Sequence, residues 1–249
     1  MSRIIGEGIQ PLICTPLIGK NQKMIVAELV NILENKPDII EWRADFFEEI
    51  ANTSVVTALA NQLKKVAGDL LFIFTIRSVR EGGQPISLSD SEVIALNIAI
   101  CTNTKIEYVD CELSNLPQHF QQLRKAAQEN GVKIIASFHN FDCTPGEKFL
   151  EEKFTQAEEM GADVAKVAVM PQTLEDVLTL LSVTLEAKNR LKIPVISMSM
   201  GELGAVTRLF GGVFGSAVSF AVGQSSSAPG QVPIEDLKTV LHIVKKTMG

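Results

Sequence analysis

KIIASFHNF (133–141), EKFLEEKFTQAEEMG (147–161) and ADVAKVAVM (162–170) follow one another as strand, helix and strand. The outer two are short apolar runs of strand length. The middle one carries apolar residues at helical spacing and ends on a glycine, which tolerates the left-handed conformation in which many helices stop. Strands joined through a helix lie parallel, because a crossover of a dozen or more residues returns the chain to the same end of the sheet, and that crossover is right-handed.

Working outward, the unit repeats. Strand candidates precede it at PLICTPL (11–17), DIIEWRAD (38–45), LLFIFTIRS (70–78) and KIEYVDCEL (105–113), and follow it at PVISMSMG (194–201) and SAVSFAVG (216–223). Between them lie the helical patterns MIVAELVNILENK, VVTALANQLKKVA, EVIALNIAIC, LPQHFQQLRKAAQENG and TLEDVLTLLSVTLEAKNRL, then the shorter ELGAVTRLFGG and, last, PIEDLKTVLHIVKK. An open doubly wound sheet and a closed barrel both fit this order. The count of eight, the even spacing and the lack of a G-x-G-x-x-G turn after the first strand favour a (β/α)8 TIM barrel of the α/β class. No linker or low-complexity tract divides the chain, so residues 1–249 read as a single domain.

With a net charge of -6 and no Lys/Arg cluster longer than two residues, a nucleic-acid or anionic-membrane surface is not expected. The four cysteines, Cys14, Cys101, Cys111 and Cys143, form no CxxC pair and no metal-like spacing, and read as packing residues. The stretch MSRIIGEGIQ lacks a long apolar segment, and no apolar run approaches the roughly 20 residues of a membrane span. The expectation is a reduced, cytoplasmic setting.

Charged residues inside barrel strands are costly unless paired, so the few present are informative. Lys166 sits in ADVAKVAVM among small apolar residues, with no acidic residue nearer in sequence than Asp163. One reading is a lysine that snorkels its amine to water. The other is a desolvated amine, held below its reference value of about 10.4 and nucleophilic towards carbonyls. The residues alone leave both open. His139 ends the fifth strand at the C-terminal mouth, one strand before Lys166, where it reads as a structural histidine or as an acid/base. The other histidines, His119 and His242, fall in helices with no metal-site spacing.

Glu41, Arg43 and Asp45 alternate along the second strand and share a face, opposite Ile40, Trp42 and Ala44. Arg77 closes the third strand on the face of Thr75, Glu81 follows in SVREGGQ, Asp110 and Glu112 share a face of the fourth, and Arg208 lies in the helix after the seventh. A Glu–Arg pair can be a buried ion pair or can present a guanidinium to a ligand. Gathered at the mouth, these residues predict a polar pocket suited to an anion.

EWRADFF, FTIRSVREGGQ, ASFHNFDCTP, VAKVAVMPQ, SMSMGELGAVTR and FGSAVSFAVG followed by SAPGQ resemble, in order and spacing, the successive motifs of type I 3-dehydroquinate dehydratases. Thr207 stands where serine is more usual before the arginine. The resemblance implies a shikimate-pathway lyase that dehydrates 3-dehydroquinate to 3-dehydroshikimate, with no cofactor or metal, as a homodimer. It implies that Lys166 forms the imine and His139 is the general acid/base. Glu41, Arg43, Arg77, Met198, Met200, Arg208, Phe220, Ser227, Ala228 and Gln231 would line the substrate pocket, with Glu81 nearby. It further implies that QSSSAPGQ is a lid and that residues 1–9 cap the bottom of the barrel.

Two rivals share much of this pattern. A class I aldolase would also carry a lysine on strand six; no phosphate-binding glycine turn is evident, although GGVFGS (211–216) could be mistaken for one. A barrel that only binds a carboxylic acid would bind dehydroquinate without forming the conjugated product.

Overall fold

A computed structural model describes residues 4–8, 10–223 and 228–248. Eight parallel strands are each followed by a helix: β1 Leu12–Leu17, α1 Gln22–Glu34, β2 Ile39–Arg43, α2 Thr53–Ala67, β3 Leu71–Thr75, α3 Asp90–Asn103, β4 Tyr108–Glu112, α4 Pro117–Asn130, β5 Lys133–Asn140, α5 Glu147–Glu159, β6 Val164–Val169, α6 Leu174–Arg190, β7 Val195–Ser199, α7 Gly201–Phe210, β8 Val218–Val222 and α8 Ile234–Met248. Hydrogen-bonded order runs β7-β6-β5-β4-β3-β2-β1-β8, all parallel. A bridge from Val195 to Ser216, just ahead of β8, closes the cylinder. The fold is a (β/α)8 TIM barrel.

The strands are shorter at their C-terminal ends than the apolar runs suggest. β2 stops at Arg43 and Asp45 falls in a 3-10 turn, while Arg77 lies two residues past β3. At these ends the chain leaves the ladder so that polar side chains can turn over the mouth. A further two-residue strand, β9 Val232–Pro233, pairs with β8 and was not expected from the apolar pattern. It lies too near α8 to build its own hydrophobic period.

β1 to β4, β6 and β7 are buried along their whole length, as sheets covered on one side by helices and on the other by the barrel interior must be, while β5 is half-buried at Lys133 and from Phe138 to Asn140. Ile40, Trp42 and Ala44 pack outward with the helices, together with Phe72, Phe74, Val109 and Val167. Inside, Leu12, Cys14, Ile39, Leu71, Ile73, Tyr108, Ile135, Val164 and Val218 fill the lower half. Ile5 closes that end. Its side chain joins the inner cluster and its N–H donates to the Tyr108 hydroxyl at 3.2 Å. Residues 4–8 therefore cap the bottom as expected; residues 1–3 and 9 lie outside the described residues. Among the described residues, no helix is long and apolar enough to cross a membrane.

Candidate active site

The ladder decides which side chains meet. Glu112 of β4, Ser137 of β5 and Lys166 of β6 are register partners on one rung, and His139, Ala168 and Met198 form the next partnered set towards the mouth. Above the apolar lower half, this is where charge enters the barrel.

Lys166 is buried, its side chain 5% exposed. It is isolated from acids in sequence but not in space: Nζ lies 3.4 Å from Glu41 Oε1 and 3.5 Å from Asp110 Oδ2. The Phe220 ring faces it at 4.6 Å. Glu41 is fixed by Thr75, whose hydroxyl donates to Oε1 at 2.9 Å. The snorkelling reading finds no support, since the amine points into the barrel.

Arg43 and Arg77 are already engaged. Arg43 pairs with Asp45 and not with Glu41, by two bonds of 2.8 Å, while its guanidinium lies 5.1 Å from the Phe46 ring centre. Arg77 directs Nη1 at Glu112 (3.1 Å) and Ser137 (2.9 Å) and Nη2 at Asp110 (2.9 Å), with Glu81 at 3.6 Å. Burial opposes the Arg77 charge, and Asp110, Glu112 and Glu81 outweigh it, raising its pKa further above the usual arginine value.

Glu81 and His139 form the clearest acid/base pair. Glu81 Oε2 accepts the His139 backbone N–H at 3.0 Å and contacts Nδ1 at 2.9 Å. With Glu81 ionised, the ring proton sits on Nδ1 and Nε2 is the free acceptor. Burial, followed by Arg77, Lys166 and Arg43, holds His139 well below its ordinary 6.5, so the imidazole is neutral. Burial also pushes Glu81 up to about 8; Arg77 and Ser114 oppose the rise while Glu112 and Asp110 add to it. The glycines after Glu81 are required by space. A Cβ at Gly82 would stand 2.3 Å from the Phe141 ring, and one at Gly83 1.9 Å from the Arg77 carbonyl oxygen.

Arg208 differs from the other arginines. Its side chain is buried, and its described contacts are Met198 Sδ at 3.7 Å and the carbonyls of Phe220 (3.5 Å) and Pro229 (3.1 Å), with Nε unpartnered. No salt bridge to it occurs among the described residues, and burial lowers it to about 10. A buried cation surrounded by neutral acceptors is suited to an incoming anion.

These groups line one cavity with Met200, Phe220, Ala228 and Gln231, which brings together every expected pocket residue except Ser227, which lies outside the described residues. Phe141 and Ala168 also line it and carried no sequence signal as pocket residues. Thr75, Asp110, Glu112 and Ser137 stand behind it; their alternation along the strands put them on the inner face, but not their partners. Pro229 and Gly230 dock on the start of α7: the Gly201 N–H donates to the Pro229 carbonyl at 3.2 Å, and Gly230, at φ 74°, leaves no room for a side chain beside the Gly201 carbonyl.

A larger cavity of about 900 Å³ opens at the opposite end, beside Ile5, Tyr108 and Pro194. It contains none of the expected site residues, and GGVFGS lies against it, away from the mouth. Chemistry, not size, identifies the site.

Comparisons with known proteins identify the family to which such a barrel belongs. The 3-dehydroquinate dehydratase of Albidiferax ferrireducens is 52% identical over 245 residues, covering 98% of this chain and 93% of the relative. The crystal structure of the Geobacillus kaustophilus 3-dehydroquinate dehydratase superposes with a TM-score of 0.94 at 48% identity, over 96% of this chain and 93% of that one. The type I enzyme from Clostridium difficile, crystallised with covalently modified comenic acid, gives 0.93 at 38% identity, over 98% and 95%. The family model described as type I 3-dehydroquinase matches residues 13–248, and the chain belongs to that family.

Proposed function

We propose that this chain, acting as one catalytic domain over residues 1–249, dehydrates 3-dehydroquinate to 3-dehydroshikimate through an imine on Lys166, with His139 as general acid/base. Membership of the type I 3-dehydroquinase family makes it a hydro-lyase. The observation that supports the mechanism is the gathering of a buried amine, a neutral imidazole and a guanidinium with no salt bridge among the described residues around one cavity.

The substrate is a cyclic β-hydroxy ketone bearing a carboxylate. The Lys166 amine adds to the ketone carbon, and the carbinolamine takes up one proton and loses water to leave a protonated imine; the final hydrolysis returns that proton. His139 Nε2 removes the proton on the adjacent carbon, and the C–H electron pair moves into the imine to give an enamine. The enamine pair then expels the β-hydroxyl, which takes the proton from His139 and leaves as water. Hydrolysis of the conjugated imine releases product and regenerates the amine. The imine divides one difficult elimination into easier steps, and a placed base contributes about 10²–10⁴-fold.

Arg208 takes the carboxylate in this reading, because a guanidinium matches it in bidentate geometry. Glu41 and Gln231 receive ring hydroxyls. Arg77, with its fork directed at three carboxylates, shapes the wall and the field more than it grips the ligand. The Clostridium difficile relative with covalently modified comenic acid supports a covalent step without saying which residue forms it. The homodimer, the cytoplasmic setting and the lid at 224–231 belong to the same proposal and rest on the family.

The test is intact-protein mass after borohydride reduction with 3-dehydroquinate, on the native chain and on Lys166→Ala. A ligand adduct on the peptide holding Lys166, absent from the variant, is the expected result. Turnover without an adduct would show a direct elimination and return Lys166 to a structural role. Binding without growth of the conjugated product's absorbance would favour a barrel that only binds the acid.

A further inference from the structure

We infer that Asp110 is a positioning residue for Lys166: from behind the nitrogen, outside the substrate cavity, its carboxylate is the counter-charge that remains when the imine forms. The inference rests on the imine reading above.

Asp110 Oδ2 lies 3.5 Å from Lys166 Nζ. Its other oxygen accepts the Ser137 hydroxyl at 2.6 Å and the Arg77 Nη2 at 2.9 Å. Those two donors fix the carboxylate plane and leave Oδ2 turned to the amine. In register, Asp110 partners Ile135, one rung deeper than Glu112, Ser137 and Lys166. Its side chain is fully buried, and it is not among the residues that line the cavity.

Glu41, the other carboxylate at Nζ, does line the cavity and faces the space a ligand takes. A ring hydroxyl can draw Glu41 away from the nitrogen; it cannot reach Asp110. The remaining groups around the amine do not supply a second fixed anion. Cys14 on β1 is raised by burial and stays a thiol. Arg43 is paired with Asp45, Arg77 holds Glu112 and Glu81, His139 is neutral, Arg208 is cationic, and Phe220 offers only a ring face.

The Lys166 nitrogen alternates between neutral forms, the attacking amine and the enamine, and cationic ones, the two imines. A fixed anion at this distance favours the cationic forms. Asp110→Asn keeps the shape and removes the charge, so the neutral amine should persist to lower pH.

The experiment is the initial rate of borohydride-trapped adduct against pH, at saturating 3-dehydroquinate, for the native chain, Asp110→Asn and Ser137→Ala. The acid limb of Asp110→Asn should move down by about one pH unit, roughly a tenfold change in rate at a fixed pH on that limb. Ser137→Ala loosens the same contact without removing charge, so its limb should stay in place while the rate falls. Overlay of Asp110→Asn on the native profile would overturn the inference. So would equal shifts in both variants, which would mark a structural disturbance. If Asp110→Asn does not fold, Asp110→Ser gives the same reading. Failure of the native chain to form any adduct would instead refute the imine reading itself.

Discussion

His139 Nδ1 and Glu81 Oε2 lie 2.9 Å apart, and the same oxygen accepts the His139 backbone N–H at 3.0 Å. One carboxyl oxygen thus sets the tilt of the ring and, when Glu81 is ionised, its tautomer as well. Glu81→Gln retains one acceptor but adds a donor that can turn the ring or reverse its tautomer. On the proposed mechanism, in which the ring transfers protons, we expect kcat to fall about tenfold or more with little change in KM. Steady-state kinetics decide this; a rise in KM at constant kcat would make Glu81 a binding residue.

The same carboxyl predicts a pH effect on stability. Glu81 sits at about 8 in the folded chain against an ordinary 4.5. The folded state therefore holds a proton that the unfolded chain releases, and the corresponding stability is complete below about 4.5 and lost as pH rises through about 8. His139 acts in the other direction. Its folded value is depressed, so the unfolded chain gains the proton first and stability falls as pH drops below 6.5. Denaturant midpoints for the native chain and Glu81→Gln, taken from pH 5 to 8, should differ in slope on the alkaline side. Parallel curves would show that Glu81 is ionised throughout.

Arg208 has neutral acceptors around it and burial acting against its charge. In the proposed binding mode a ligand carboxylate relieves that cost by two parallel bonds that a lysine cannot make. Arg208→Lys should raise KM about tenfold or more, close to 1.4 kcal/mol of binding, with a smaller change in kcat. An unchanged KM would place the carboxylate elsewhere in the cavity.

At the far end of the barrel, Ile5→Ala removes a side chain that is 3% exposed and packed in the inner cluster. The expected loss is about 2 kcal/mol, the lower end for isoleucine truncation because an open cavity adjoins it. Trp42 is the only tryptophan and is fully buried, so its fluorescence can follow the unfolding transition. The kinetic constants should hold. A loss of kcat would mean that the cap is coupled to the mouth.

The barrel was legible because its signal is repetitive: eight apolar runs, each followed by a helical period, allow few topologies. Lys166 and His139 stood out for the same reason, as polar groups where the pattern demands apolar ones. Strand ends were less legible. Whether Asp45 and Arg77 belong to strands depends on where the chain lifts from the ladder, and that is set by side chains that meet only in three dimensions. Pairing was not legible at all. Arg43 takes Asp45 and not Glu41, Thr75 orients Glu41, and the two acids beside Lys166 come from positions 125 and 56 residues away. Phe141 closes the run KIIASFHNF on the face of Ser137 and His139, but an apolar ring at that position carries no mark of a pocket.

Seven of the barrel's seams are laddered by paired strands, whereas β7 and β8 meet through the Val195–Ser216 bridge, with the Ser216 hydroxyl accepting the Ser197 N–H at 3.1 Å. Higher on that seam, Arg208 touches Met198 of β7 and the carbonyl of Phe220 on β8. The cylinder is a hoop with one parting line, and the Arg208 guanidinium is the clasp across it. Whatever seats on Arg208 also bears on the joint that is tied by a single bridge.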